Sequence, residues 1–171
     1  MSSFLSTLLG LDAPMLPRIT CARVEWNTGT QELARRTLGA KRESGAYLLG
    51  RTHENGVHEI LDFIYYDDVD PAALSTGIVT IRATALPKLW AICRARGYGV
   101  VADIHVHPYG FQQSKSDREG PVMPRSGHIA FILPDFAQGS VEPGAFGMYE
   151  YLGKTDWRDH SRRGRKFFEL R

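Results

Sequence analysis

Two histidines one residue apart, in Asp103-Ile104-His105-Val106-His107-Pro108, have the clearest capacity for chemistry in this 171-residue chain. On a strand, alternate side chains share a face, so His105 and His107 project the same way and form a bidentate start for zinc. Val100, Ala102, Ile104 and Val106 are expected on the opposite, apolar face. Pro108 ends the strand, and Ser114-Lys115-Ser116-Asp117 follows closely enough for Asp117 to fold back as an oxygen ligand. Two histidines and a carboxylate leave the fourth tetrahedral position open to water, the arrangement of a catalytic zinc. Zinc brings the pKa of such a water towards neutrality. A bare H-x-H also arises among surface histidines; H-x-H-P followed by S-x-x-D is more restrictive.

The elements that must position these residues follow from periodicity. Residues 18–26 alternate Ile19, Cys21 and Val24 with polar positions and predict a strand. Residues 28–38 carry helix formers, with Leu33, Ala34, Thr37 and Leu38 on one face and Gly39 as the stop. Residues 46–50 and 58–66 read as strands joined through an Asn55-Gly56 turn. Residues 78–81 predict a further strand. Residues 83–96 predict a helix burying Leu86, Leu89, Trp90 and Cys93 and ending at Gly97. Strands are expected at 100–107, 128–133, 146–152 and 166–170. The whole is an α+β single domain with a central mixed, mainly antiparallel sheet flanked by helices.

Composition limits the alternatives. The chain is 43% hydrophobic and 23% charged, with a formal net charge of +2, which argues for neither a nucleic-acid nor a membrane partner. Cys21 and Cys93 lie in separate apolar stretches and form no redox or zinc motif, so a reducing, cytoplasmic setting is the simpler reading. As thiol nucleophiles they are weaker candidates than as buried structural residues. Residues 1–17 contain a short apolar run, too short to span a bilayer and without a signal-peptide layout, and read as a short helix preceding a domain at 18–171. His128 starts an apolar strand and reads as a hydrogen-bonded boundary residue rather than a fourth ligand. His53, His58 and His160 lack ligand spacing. The basic run from Trp157 to Arg171 fits a solvated loop before a final strand. Nucleic-acid binding through it would show a steep salt dependence.

The site residues resemble the signature of the JAMM (JAB/MPN) metallo-isopeptidases, in which an upstream Glu precedes H-x-H-P and S-x-x-D. Glu43-Ser-Gly-Ala-Tyr-Leu-Leu-Gly50 matches the family's E-x-x-G-x-L-x-G element in the Glu, the Leu and the last Gly. The order of expected elements agrees from about residue 18 to the end. The resemblance implies an MPN/cytidine-deaminase-like fold, His105, His107 and Asp117 as zinc ligands, and Glu43 as the general acid/base. It assigns Ser114 to holding the water or the oxyanion. Asp103, on the histidines' face, could orient one of them. Two departures stand out: five residues, 109–113, separate Pro108 from Ser114 where the family has six, and Ala46 occupies the family's first Gly. Gly110 gives the shorter loop freedom to close.

The motif's surroundings resemble the compact bacterial branch that accompanies ubiquitin-like conjugation systems. The substrate implied is a ubiquitin-like C-terminal tail joined to an amine, docking extended, with activating and conjugating enzymes as possible partners. The rival is a JAMM-like scaffold that has lost metal and binds proteins.

Overall fold

Trp26 is the residue around which one half of the core is arranged. Its fully buried indole stacks on Phe146 and meets Phe131 and Phe168 edge-on, while Nε1–H donates to the Val141 carbonyl at 2.8 Å. The computed structural model describes residues 16–171. The expected N-terminal helix falls almost wholly on residues 1–15, outside the described residues.

The elements run β1 (Ile19–Cys21), α1 (Arg23–Arg36), β2 (Gly45–Thr52), β3 (His58–Tyr65), α2 (Tyr66–Val69), α3 (Leu86–Arg96), β4 (Gly99–Val106), α4 (Lys115–Glu119), β5 (Ile129–Leu133), β6 (Gly147–Gly153), β7 (Asp156–Asp159) and β8 (Phe168–Leu170). The strands form one eight-stranded mixed sheet in the order β7-β6-β5-β4-β2-β3-β1-β8. β2 pairs antiparallel with β3 and β4, and β6 does so with β5 and β7. β4–β5, β1–β3 and β1–β8 are parallel. The α+β architecture with a mixed sheet is therefore observed.

Alternation along β2 divides the core between the two sheet faces. Ala46 and Leu48 join Trp26 and Leu33 of α1 on one face. Tyr47 and Leu49 join Leu89 and Cys93 of α3 and Tyr66 of α2 on the other. In β4, Ala102, Ile104 and Val106 lie with α1 as expected, but Val100 lies with α3. The cause is an irregularity in register: Leu48 pairs with Ala102 and Leu49 with Val100, so Val101 is the extra residue of a bulge that flips what precedes it.

Several further expectations need correction. The strand over 18–26 stops at Cys21, and α1 starts at Arg23 rather than Thr28. Val24, the third member of the apparent alternation, is 74% exposed, whereas Trp26, Thr30 and Leu33 share a buried helical face. Leu38 is exposed at positive φ beyond the helix, so it leaves that face. Residues 78–81 form no strand; they run between turns and a short 3-10 turn at Ala83–Ala85. α3 ends at a left-handed Gly97 as expected, yet buries only Leu89 and Cys93 fully and leaves Trp90 exposed. A strand at Asp156–Asp159 and the short helices α2 and α4 were not anticipated.

Candidate metal centre

β4 is an interior strand, held antiparallel by β2 and parallel by β5, with His105 opposite Gly45 and Ile132. His107 lies one residue past the strand's end, but its backbone is pinned from both sides. Its N–H donates to Leu133 O, and its carbonyl accepts from Phe136 N–H, each at 2.9 Å. Both histidines therefore leave a rigid scaffold on the α3 face of the sheet, and both are buried.

The third donor arrives on α4. Ser114 caps this helix reciprocally: its Oγ accepts from Asp117 N–H at 3.1 Å, and Asp117 Oδ2 accepts from Ser114 N–H at 2.7 Å. Trp157 of β7 ties down the helix's far end by donating Nε1–H to Arg118 O at 3.1 Å. Tyr149 Oη donates to Phe111 O at 2.8 Å, closing the loop over 109–113, and Gly110 takes the positive φ that this short connection needs.

The three side chains converge. His105 Nε2 and His107 Nε2 are 3.0 Å apart, and each is 3.3 Å from an Asp117 carboxylate oxygen. Metal–ligand bonds of about 2.0–2.1 Å at a tetrahedral angle set donor atoms roughly 3.3 Å apart, so the triangle could hold a metal ion. Among the described residues, this is the group of His, Cys, Asp or Glu side chains close enough to hold a metal ion together. Burial opposes the charge of Asp117, but hydrogen bonds from His105 and His107 outweigh it and hold the carboxyl well below its usual range. Burial likewise opposes a charged His105, and the Asp117 hydrogen bond and charge, with Asp103 and Glu43 behind them, raise it overall.

Glu43 stands two residues before Gly45, the start of β2, which the Gly45–His105 pairing brings alongside the histidines. It lines a cavity of about 200 Å³ together with Ile78, His105, His107, Ser114 and Asp117. Its Oε2 accepts from Val79 N–H at 3.3 Å. All five residues expected at the site thus share one cavity. Ser114 is placed differently from a free side chain, because its oxygen already accepts a hydrogen bond; the hydroxyl proton is left to donate.

The role considered for Asp103 is corrected. Its Oδ1 lies 2.6 Å from His128 Nε2 and its Oδ2 accepts from Tyr66 Oη at 3.0 Å, so its buried carboxylate serves those two groups rather than a ligand histidine. His128 is accordingly a partnered boundary histidine. His53, His58 and His160 bond Glu59, Thr52 and Glu150. Both cysteines are buried and unpaired, and burial pushes the Cys21 thiol up to about 12, away from nucleophilic use. In the basic tail, Arg158, Arg165 and Arg171 pair with Glu150, Glu142 and Glu169. Sequence reasoning missed Trp157 and Val79 as parts of the site's frame. Only Trp157 carried a signal, as a large aromatic in an otherwise polar stretch.

No protein-family model matches the chain. Similar solved structures include the solution structure of a protein from Desulfitobacterium hafniense, at 16% identity and a TM-score of 0.59, covering 90% of this chain and 92% of that one. A second is that of a protein from Salinibacter ruber, at 15% identity and a TM-score of 0.54, covering 82% of this chain and 88% of that one. At such identities the likeness concerns the fold.

Proposed function

We propose that this chain is a zinc-dependent hydrolase of the JAMM kind, with an MPN-like fold, cleaving the amide bond that follows the C-terminus of a ubiquitin-like protein. The observation that carries the reading is the donor triangle of His105, His107 and Asp117 with Glu43 on the wall of the same cavity. The donor set of two imidazoles and one carboxylate, spaced as above, fits zinc.

A zinc ion held there would acidify water and polarise the substrate carbonyl. The chain's own residues do the rest. Glu43, with one carboxylate oxygen engaged by Val79 N–H, has the other available to take a proton from water and return it to the leaving amine. Ser114 Oγ–H is able to donate to the oxyanion that develops on the carbonyl. Exposed Ile78 and half-buried Val122 beside the polar groups suit an extended, uncharged peptide tail. Substrate conjugates, and the activating and conjugating enzymes that make them, are the partners this reading calls for. Among the described residues no helix is long and apolar enough to cross a membrane, and the unpaired thiols accord with a cytoplasmic setting.

Elemental analysis of the purified protein beside His107→Ala tests the site. About one zinc per chain, lost in the variant, supports it. Zinc that is neither present nor retained on addition would leave the metal-free binding module as the better reading. Hydrolysis of a ubiquitin-like fusion by the zinc-loaded protein, abolished in Glu43→Gln with zinc retained, tests the chemistry.

A further inference from the structure

One segment grips Glu43 from two sides. Glu43 N–H donates to Gly77 O at 2.8 Å, and Glu43 Oε2 accepts from Val79 N–H at 3.3 Å. Both partners belong to residues 70–82, a stretch of turns and extended backbone whose ends meet at Asp70. The buried Asp70 carboxylate accepts from Ala72 N–H at 3.0 Å and Arg82 N–H at 3.1 Å. It also accepts from Arg82 Nε at 2.9 and 3.0 Å and pairs with Arg82 Nη2. Thr80 N–H donates to Ala73 O at 2.9 Å across the interior of the segment. The Arg82 hydrogen bonds hold the Asp70 carboxyl below its usual range.

We infer that the Asp70–Arg82 clasp is a positioning device for Glu43, acting through the Val79 N–H, and that Ile78 on the same segment forms the apolar wall for the substrate chain beside the scissile bond. The inference rests on Glu43 as the proton carrier. A glutamate in the irregular stretch before β2 has several rotamers open to it, and most misplace the carboxylate. The Val79 amide engages Oε2 of this cavity-lining residue, which leaves Oε1 for the proposed proton transfer. Ile78 is 53% exposed while lining that cavity, an apolar surface left uncovered where a substrate would lie. Asp70 and Arg82 are positioning residues, since neither lines the cavity.

Arg82 is the residue to change, because its side chain is 58% exposed and its loss opens no core. Amide hydrogen exchange on the full chain, with and without zinc, reads the clasp directly. In Arg82→Ala, exchange at Val79 rises about tenfold or more, while amides of β4 keep their protection. Zinc content is unchanged. For a ubiquitin-like fusion, kcat falls about ten- to a hundredfold, and KM rises because the Ile78 wall loosens with its segment; an unchanged KM would overturn the role of Ile78. Arg82→Lys, which keeps the charge but not the planar fork, recovers part of kcat. Unchanged exchange at Val79 would overturn the clasp, and a loosened segment with unchanged kcat would overturn its role. Loss of β4 protection alongside would also overturn it, by showing a general loss of stability. If the wild type neither holds zinc nor hydrolyses the fusion, the functional reading fails by itself, and the exchange data still decide whether Arg82 governs Val79.

Discussion

Ser114 caps α4 and is proposed to donate to the oxyanion, and two substitutions separate these roles. As the cap of α4 it stabilises a helix of five residues, too short to persist by its own propensity. Ser→Ala at such a position costs about 1 kcal/mol, within a range of roughly 0.5–2, whereas Ser→Gly costs only a few tenths. Asp117 sits on that helix, so the cost of the lost cap passes to the metal site. At 1.4 kcal/mol per tenfold, Ser114→Ala weakens zinc binding about fivefold and Ser114→Gly less than about twofold. As an oxyanion donor the hydroxyl is worth far more, roughly a hundred- to a thousandfold in kcat. Both variants lose it equally. Zinc affinity by competition with a chelating dye, and kcat on a ubiquitin-like fusion at saturating zinc, are therefore expected to diverge. Affinity ranks wild type, Gly, Ala; kcat falls alike in both variants. Full kcat in Ser114→Gly would refute the donor role and leave only the cap. Unchanged zinc affinity in Ser114→Ala would refute the coupling between cap and ligand.

In the proposed site zinc would compete with protons for the same three side chains, so metal-free stability has a direction in pH. The lowered Asp117 contributes stability that is present above its unfolded value of about 3.9 and lost as pH falls through the lower folded value. The raised His105 contributes stability that is complete below about 6.5 and lost as pH rises through its higher folded value. With chelator present, the wild-type advantage in Tm over His105→Gln should be larger at pH 5.5 than at pH 8.5, and an advantage that grows with pH would contradict the ion pair. In the core, Trp26→Ala removes a fully buried indole and leaves the Val141 carbonyl without its donor. A loss of about 3–5 kcal/mol by urea titration is expected, and less than 1 kcal/mol would mean the aromatic cluster re-forms without it. Gly50→Ala would place Cβ 1.7 Å from the Glu59 carbonyl oxygen, so β2 and β3 must part locally. We expect about 3 kcal/mol of destabilisation or more; a variant as stable as wild type would disprove that close approach.

The same glycine shows why part of this structure was readable from sequence. Gly50 ends the stretch that resembles the upstream family element, and backbone approach accounts for its identity. Gly45 likewise lies where a Cβ would meet Ile104 O at 2.7 Å, although the resemblance placed the small residue at 46. His105, His107 and Asp117 were legible because strand alternation and a short return loop are local, and locality is what a sequence shows directly. The boundary of α1 was misread for the opposite reason. Ile19, Cys21 and Val24 imitate alternation, and only packing against Phe146 and Phe168 reveals that Trp26 belongs to a helix.

Residues 78–81 show the limit most clearly. Ile78, Val79 and Ile81 have strand composition, yet no strand forms. Two backbone donors of their segment, at Val79 and Arg82, go to the carboxylates of Glu43 and Asp70 instead of to a ladder. Side-chain acceptors 36 and 12 residues away cannot be found by periodicity, because neither position bears a fixed relation to the apolar pattern. A β-rich composition was therefore used to build a wall rather than a strand. What reads as a failed secondary-structure prediction marks the place where two buried or half-buried carboxylates took over the backbone's hydrogen bonds. A site that depends on such a carboxylate is where local rules are expected to give way.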